Sequence, residues 1–116
     1  MKTLNRFALI VRPGAPFIEW AAKESGEPVS SVRRDFASME PSIYLLPESG
    51  AADTKDPNLL KGHWQVIFKE ELAGWSMDED SWPKQRSEAL FRAWFKLELC
   101  TIVSDLGKVP MKAEIL

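Results

Sequence analysis

The chain has very little cysteine: Cys100 is its only one, which excludes an internal disulfide. It also argues against a zinc site of the usual kind, because most structural zinc sites take two or more cysteines. A lone thiol is typical of proteins in a reducing compartment, so we expect a cytoplasmic protein. No stretch approaches the ~20 consecutive apolar residues that a membrane-spanning helix needs, so we expect no membrane partner.

An excess of charge of either sign is also missing. The 15 basic and 17 acidic residues give a net charge of −2, whereas nucleic-acid-binding proteins usually show a basic patch or stripe. The composition therefore does not favour nucleic acid as a partner. Single-stranded nucleic acid, stacked on aromatic rings beside Arg6, Arg12 and Arg33, remains a third hypothesis.

The motifs of common enzymes and cofactor sites are absent as well. The six glycines are scattered, and neither a phosphate-binding loop nor a zinc-protease or serine-hydrolase motif occurs. The only histidine, His63, has no nucleophile or orienting carboxylate that the sequence can name as its partner. We therefore predict no catalytic residue, no metal ligand and no cofactor, and a non-catalytic protein is favoured.

Strand and helix patterns are clear, in a chain whose 116 residues are the size of one domain. Apolar alternation predicts three strands and helical periodicity predicts three helices. The strands are predicted over 5–12, 42–46 and 94–104, and the helices over 15–23, 57–75 and 83–94. The order β-α-β-α-α-β predicts an α+β two-layer sandwich, in which helices cover one face of a sheet of about three strands.

Local signals set the predicted boundaries of the last elements. Asp56-Pro57 is predicted to begin the long helix, and Ser81 with Pro83 the next one. One continuous helix over 83–105 competes with a helix followed by a strand. The β-branched run 101–103 favours the strand.

The remaining segments carry weaker signals. Residues 30–37 are predicted to form a further helical turn capped by Ser30 or Ser31. Residues 47–57 contain no apolar side chain larger than alanine and predict a solvated, mobile loop. We expect one domain over 1–106 and a loose tail over 107–116.

The densest polar feature is the run Asp78-Glu79-Asp80-Ser81 ahead of Trp82. Acidic residues at a helix start can bind a hard cation, but they also stabilise the helix end without any ligand. Pro83 stands where a calcium-binding loop needs glycine, which favours the second interpretation. Trp82 either packs on the next helical turn or lies half exposed at a site. The candidate binding residues are Asp78, Asp80, Trp82 and Arg86.

The chain also carries a set of aromatic and proline markers between residues 5 and 105. They are Asn5-Arg6-Phe7-Ala8, Arg12-Pro13, Pro16-Phe17, Trp20, Tyr44-Leu45, Pro47, Phe68, Glu70-Glu71-Leu72, Trp82-Pro83, Phe91 and Trp94-Phe95. On these residues the chain resembles a family of small bacterial proteins of unknown function. The resemblance implies a small bacterial protein and supplies no catalytic residue. The chain departs from the family pattern at Cys100, near an expected histidine, and in a less acidic 47–57 loop.

Two further functional hypotheses follow. The favoured one is a non-catalytic interaction module that binds a protein partner or forms a homodimer, through an exposed apolar patch placed around Trp82. The alternative is a small-ligand-binding protein or enzyme whose site lies near 76–86, with the acidic run and Arg86 contacting the ligand.

Overall fold

Ten short elements make up the computed structural model, which describes residues 1–116. In chain order they are β1 (Lys2–Thr3), β2 (Arg6–Pro13), α1 (Ala15–Ser25), α2 (Val29–Ala37), β3 (Ser42–Pro47), α3 (Trp64–Trp75), a 3-10 helix (Glu79–Ser81), α4 (Glu88–Trp94), β4 (Phe95–Cys100) and β5 (Ser104–Asp105). The predicted α+β fold with helices packed on a three-stranded sheet is confirmed.

The central strand of that sheet is β2, which pairs antiparallel with β3 on one side and with β4 on the other. The register sets Leu9 opposite both Tyr44 and Leu99. Strands β1 and β5, which the sequence did not predict, form a separate two-stranded antiparallel ribbon. Strand β4 excludes one continuous helix over 83–105. The predicted end of the strand at 104 is wrong, because β4 ends at Cys100 and the β-branched run 101–103 lies outside any strand.

The core lies between one face of the sheet and the helices. Phe7, Leu9 and Val11 alternate along β2 and are all buried on this face. Phe68 of α3 and Phe91 of α4 are completely buried, with their ring centroids 5.6 Å apart. The helical patterns therefore predicted the burial of Phe68 and Phe91 correctly, since an apolar stripe marks the side of a helix that turns away from water.

The predicted start of the long helix is wrong. Helix α3 begins at Trp64, and residues 57–63 form turns instead. Gly62 has a φ of +82°, the left-handed conformation, which interrupts a right-handed helix. Leu60 is nevertheless fully buried, because the turns bring it onto the core without helical geometry.

The predicted start of the next helix is wrong as well. Helix α4 begins at Glu88, and the hydroxyl of Ser87 caps it by accepting a hydrogen bond from the Leu90 N–H at 3.0 Å. Ser81 belongs to the preceding 3-10 helix. Helix α2 confirms the predicted turn over 30–37, but it follows Pro28 without a side-chain cap, so the assignment of Ser30 or Ser31 as its cap is wrong.

Two contacts outside the helices and strands hold the layers together. Gly14 lies between β2 and α1, and its N–H donates to the Trp94 carbonyl at 2.8 Å. The Arg92 guanidinium of α4 donates to the carbonyls of Thr54 and Asp56. The 47–57 segment was predicted to be solvated and mobile; two of its carbonyls are instead bound to α4.

Residues 107–116 have no regular secondary structure, and their side chains are exposed. None of the helices has the length and apolar character needed to cross a bilayer.

Candidate functional site

The predicted binding segment, 76–86, packs onto the fold through Trp82. Its side chain is only 7% exposed, and its indole N–H donates to the Ser76 carbonyl at 2.9 Å. The Arg86 guanidinium lies 5.8 Å from the centroid of the Trp82 ring and donates to the Pro83 carbonyl. Trp82 itself is therefore not part of an exposed apolar patch, because its ring is already covered.

The acidic side chains of the same segment point into solvent. The Asp78 carboxylate accepts from the Asp80 N–H and caps the 3-10 helix. Asp80 itself is fully exposed and lies 4.0 Å from the Lys84 ammonium. No group of three or more His, Cys, Asp or Glu side chains is arranged to hold a metal ion. The acids thus match the helix-end interpretation, and ligand binding by Asp78, Asp80, Trp82 and Arg86 stays a prediction.

Two further tryptophans hold this connection and α1 in place through their indole N–H groups. Trp20 donates to the Ser81 carbonyl at 2.9 Å, and Trp75 donates to the Ala21 carbonyl at 3.0 Å. The sequence suggested apolar packing alone. The need of a buried indole N–H for an acceptor was the available signal, although the sequence does not identify the carbonyl that accepts.

The first candidate surface is the face of the sheet that no helix covers. Along β3, Ile43 is 61% exposed and Leu45 is 49% exposed. The register places Ile43 beside Ile10, and places Ala8 between Leu45 and Cys100. We call these five residues the open sheet face. They form one apolar surface because side chains directly opposite each other on paired strands lie in contact.

Charged residues border the open sheet face: Arg6 lies at one end opposite Pro47, and Glu98 lies opposite Ile10 towards the other end. The Arg12 guanidinium and the Glu98 carboxylate pair across β2 and β4 at 3.2 Å. Lys96 lies opposite Arg12 in the register and has no acidic side chain within 4 Å. Both signs of charge are thus present at the end near Arg12, which we call the charged end of this face.

The second surface is a cleft of about 440 Å³ between α1, α2, α3 and one end of the sheet, which we call the helical cleft. Strand β3 starts at Ser42, so Arg12 and Pro13 at the end of β2 pair only with β4 and border the cleft. Its apolar wall includes Phe17, Phe36 and Trp75, with the rings of Phe36 and Trp75 5.0 Å apart between centroids. The volume is in the usual range for small-molecule sites, about 300–1,000 Å³.

A carboxylate of fixed orientation lies on the α3 side of the helical cleft. The Tyr44 hydroxyl donates to Glu71 Oε2 at 2.5 Å. Burial raises the pKa of Tyr44 well above its usual range, and the hydrogen bond to Glu71 and the charges of Glu71 and Glu70 raise it further. The tyrosine therefore stays neutral and remains a donor, which keeps the Glu71 carboxylate in one position.

Only some of the residues that line the helical cleft could be recognised from the sequence. Arg12 and Arg33 were considered as points that could bind an anion, and both line it. Neither Glu71 nor Trp75 was predicted to line a site, because both lie on a helix whose apolar stripe explained the pattern. Nothing in the local sequence places residues 12, 33, 71 and 96 around one cavity.

Comparison with known proteins identifies neither surface. The chain matches no family model, and no curated protein or solved structure is significantly similar to it. The functional argument therefore rests on the geometry of the open sheet face and the helical cleft.

Proposed function

We propose that the protein is a non-catalytic interaction module that associates through the open sheet face, with a second copy of the chain as its partner. The observation that carries the proposal is the pair Ile43 and Leu45, which present large aliphatic side chains to water on the edge strand β3. Two-layer sandwiches normally cover only one face of the sheet, but the exposed face is then usually polar. An apolar one marks an interaction site.

Charge supports a second copy as the occupant. A two-fold interface brings the same surface of both copies together, so that surface must be complementary to itself. At its charged end, the open sheet face carries Arg12 and Lys96 beside Glu98. Each copy can therefore offer an unlike charge to the other, which a surface of one sign could not do.

A second uncovered apolar segment of the same chain also supports a dimer. Five large aliphatic side chains after β5 are between 63% and 109% exposed: Leu106, Val109, Met111, Ile115 and Leu116. No part of the monomer covers them. A second copy supplies an apolar surface for this segment as well as for the open sheet face.

Sedimentation equilibrium of the wild-type chain and of Ile43→Asp tests this proposal. Complete burial of an exposed isoleucine side chain is worth about 1.5–3 kcal/mol. Because Ile43 is 61% exposed in the monomer, its burial in the dimer should contribute about 1–2 kcal/mol. A symmetric dimer contains the residue twice. The substitution should therefore raise the dissociation constant of the dimer by about 30-fold or more.

Val66→Asp is the matched control, because Val66 is 68% exposed on α3 and lies outside the open sheet face. It should leave the dimer intact. A wild-type chain that sediments at the monomer mass of 13.2 kDa up to about 1 mM, where association is worth only ~4 kcal/mol, would refute the homodimer. If a different protein is instead retained by the wild type and lost with Ile43→Asp, the occupant that we propose is the wrong one.

The cellular setting follows from the sequence and belongs to the same proposal. We propose a cytoplasmic location, since the only thiol, Cys100, has no cysteine to pair with. The markers shared with small bacterial proteins of unknown function support a bacterial source.

A further inference from the structure

The charges around the helical cleft are divided between its two sides. Helix α3 contributes Glu70 and Glu71. The ends of β2 and β4 contribute Arg12 and Lys96, and α2 contributes Arg33. Glu40, on the connection from α2 to β3, is the remaining charged residue of the lining. The cleft therefore has an acidic helix on one side and cationic side chains from the sheet end and α2.

These charges do not neutralise one another. The chain forms three ion pairs within 4 Å, and none joins two residues of the cleft lining. Arg33 and Lys96 have no acidic partner, and Arg12 pairs with Glu98 outside the cleft. Opposite charges that face one cavity without pairing leave room for a ligand that carries both signs.

The groups that would contact such a ligand differ in how firmly they are held. Glu71 is half-buried and is oriented by the Tyr44 hydroxyl. Binding of an ammonium group to Glu71 therefore costs little side-chain entropy. Trp75 is fixed by its indole hydrogen bond to the Ala21 carbonyl, and its ring packs on Phe36. Aromatic faces next to a carboxylate attract an alkylammonium ion, while Arg33 provides the planar donor set that suits a carboxylate.

We propose that the helical cleft binds a small zwitterion with an apolar body, of the amino-acid or short-peptide class. The ammonium group lies against Glu71 and Glu70, the carboxylate against Arg33 and Lys96, and the apolar body against Phe36 and Trp75. The cleft shares Arg12 and Lys96 with the charged end of the open sheet face, whereas Glu71, Arg33 and Trp75 lie outside that face.

Three probes with the same apolar body test the charges one at a time. L-phenylalanine carries both charges, phenethylamine has only the ammonium group, and 3-phenylpropionate has only the carboxylate. Each is titrated into the isotope-labelled full-length chain and followed by two-dimensional NMR. L-phenylalanine should bind at least about tenfold more tightly than either analogue, because each analogue lacks one of the two charged groups and so loses one charged hydrogen bond. Its shifts should include the indole N–H of Trp75.

Two variants assign the charges to the two sides. Glu71→Gln keeps an oxygen that accepts from the Tyr44 hydroxyl, so the fold is retained; it should weaken L-phenylalanine about tenfold and leave 3-phenylpropionate unchanged. Arg33→Gln should weaken L-phenylalanine and leave phenethylamine unchanged. Arg34→Gln is the matched control, because Arg34 is the adjacent exposed arginine of α2 and does not line the cleft.

The outcomes separate the proposal from its alternatives. No shift of cleft residues with L-phenylalanine at about 10 mM, well above the ~1 mM dissociation constant that about 4 kcal/mol of binding provides, overturns it. Equal binding of L-phenylalanine and one analogue overturns the zwitterion and identifies a ligand with one charge. Equal losses with Arg33→Gln and Arg34→Gln overturn the assignment of the carboxylate side.

Discussion

Replacing Gly14 by alanine tests the close contact between the β2–α1 connection and the end of α4. A β-carbon on Gly14 would lie 2.7 Å from the Trp94 carbonyl oxygen and 3.1 Å from its carbonyl carbon. Both atoms belong to the backbone between α4 and β4, so no flexible side chain can move aside. The φ of Gly14 is −92°, which any residue adopts, so the entire cost is steric. Either the Gly14 to Trp94 hydrogen bond lengthens or β2 moves away from β4.

Overpacking of this kind costs about 1–3 kcal/mol, and in a domain of this size that lowers the melting temperature by roughly 4–12 °C. Urea unfolding followed by tryptophan fluorescence measures the free energy of unfolding directly. Gly74→Ala is the control: its new β-carbon meets no atom within 4 Å, and alanine in a helix should add about 0.5–1 kcal/mol. If Gly14→Ala were as stable as the wild type, the argument from this close contact would fail.

Two other contacts give predictions of their own. Arg92→Lys should lower the free energy of unfolding by about 1–3 kcal/mol, because an ammonium group cannot reach both the Thr54 and Asp56 carbonyls. The same substitution should speed hydrogen exchange of residues 53–58. Unchanged exchange would contradict this. Tyr44→Phe should cost about 1 kcal/mol below pH 10. Because the folded state raises the pKa of Tyr44, unfolded tyrosine ionises first above about pH 10. The advantage of the wild type over Tyr44→Phe should therefore shrink as the pH rises, by up to ~1.4 kcal/mol per unit, and a difference that is independent of pH would refute the shift.

Buried residues could be predicted from the sequence where the pattern within a single element identifies its buried side. The apolar stripe of α3 includes Ile67, Phe68 and Leu72, which are all buried, and it could be recognised without knowing the neighbours of the helix. Helix starts were harder, because two local signals competed. Asp56-Pro57 is a good capping pair and predicted a helix start at 57. Gly62 instead adopts a left-handed turn, and the burial of Leu60 in the core favours that turn. Likewise, Ser81 and Ser87 are both capable caps, and only the packed position of α4 distinguishes them.

The candidate surfaces were beyond the reach of local patterns for a different reason. The open sheet face depends on which side of β2 the helices cover, and Ile10 alone could have been on either a covered or an uncovered side. The helical cleft depends on Arg12, Glu71 and Lys96 meeting although they lie far apart in the chain. The strongest polar pattern in the sequence, residues 78–81, turned out to be a helix end, because capping and ligand binding select the same residue types.

The antiparallel pairing of β2 with β4 also has a consequence for how the chain folds as it is synthesised. Ala8 pairs with Leu45 of β3 and with Cys100 of β4. One edge of β2 can therefore pair with β3 early in synthesis, whereas the other edge can pair only after β4 has been made. At about 5–20 residues per second, the interval between residues 8 and 100 lasts roughly 5–18 s. During that time β2 exposes an unpaired edge to the cell. The intermediate most exposed to aggregation is therefore the pair of β2 and β3 without β4, because an unpaired strand edge can pair with another chain.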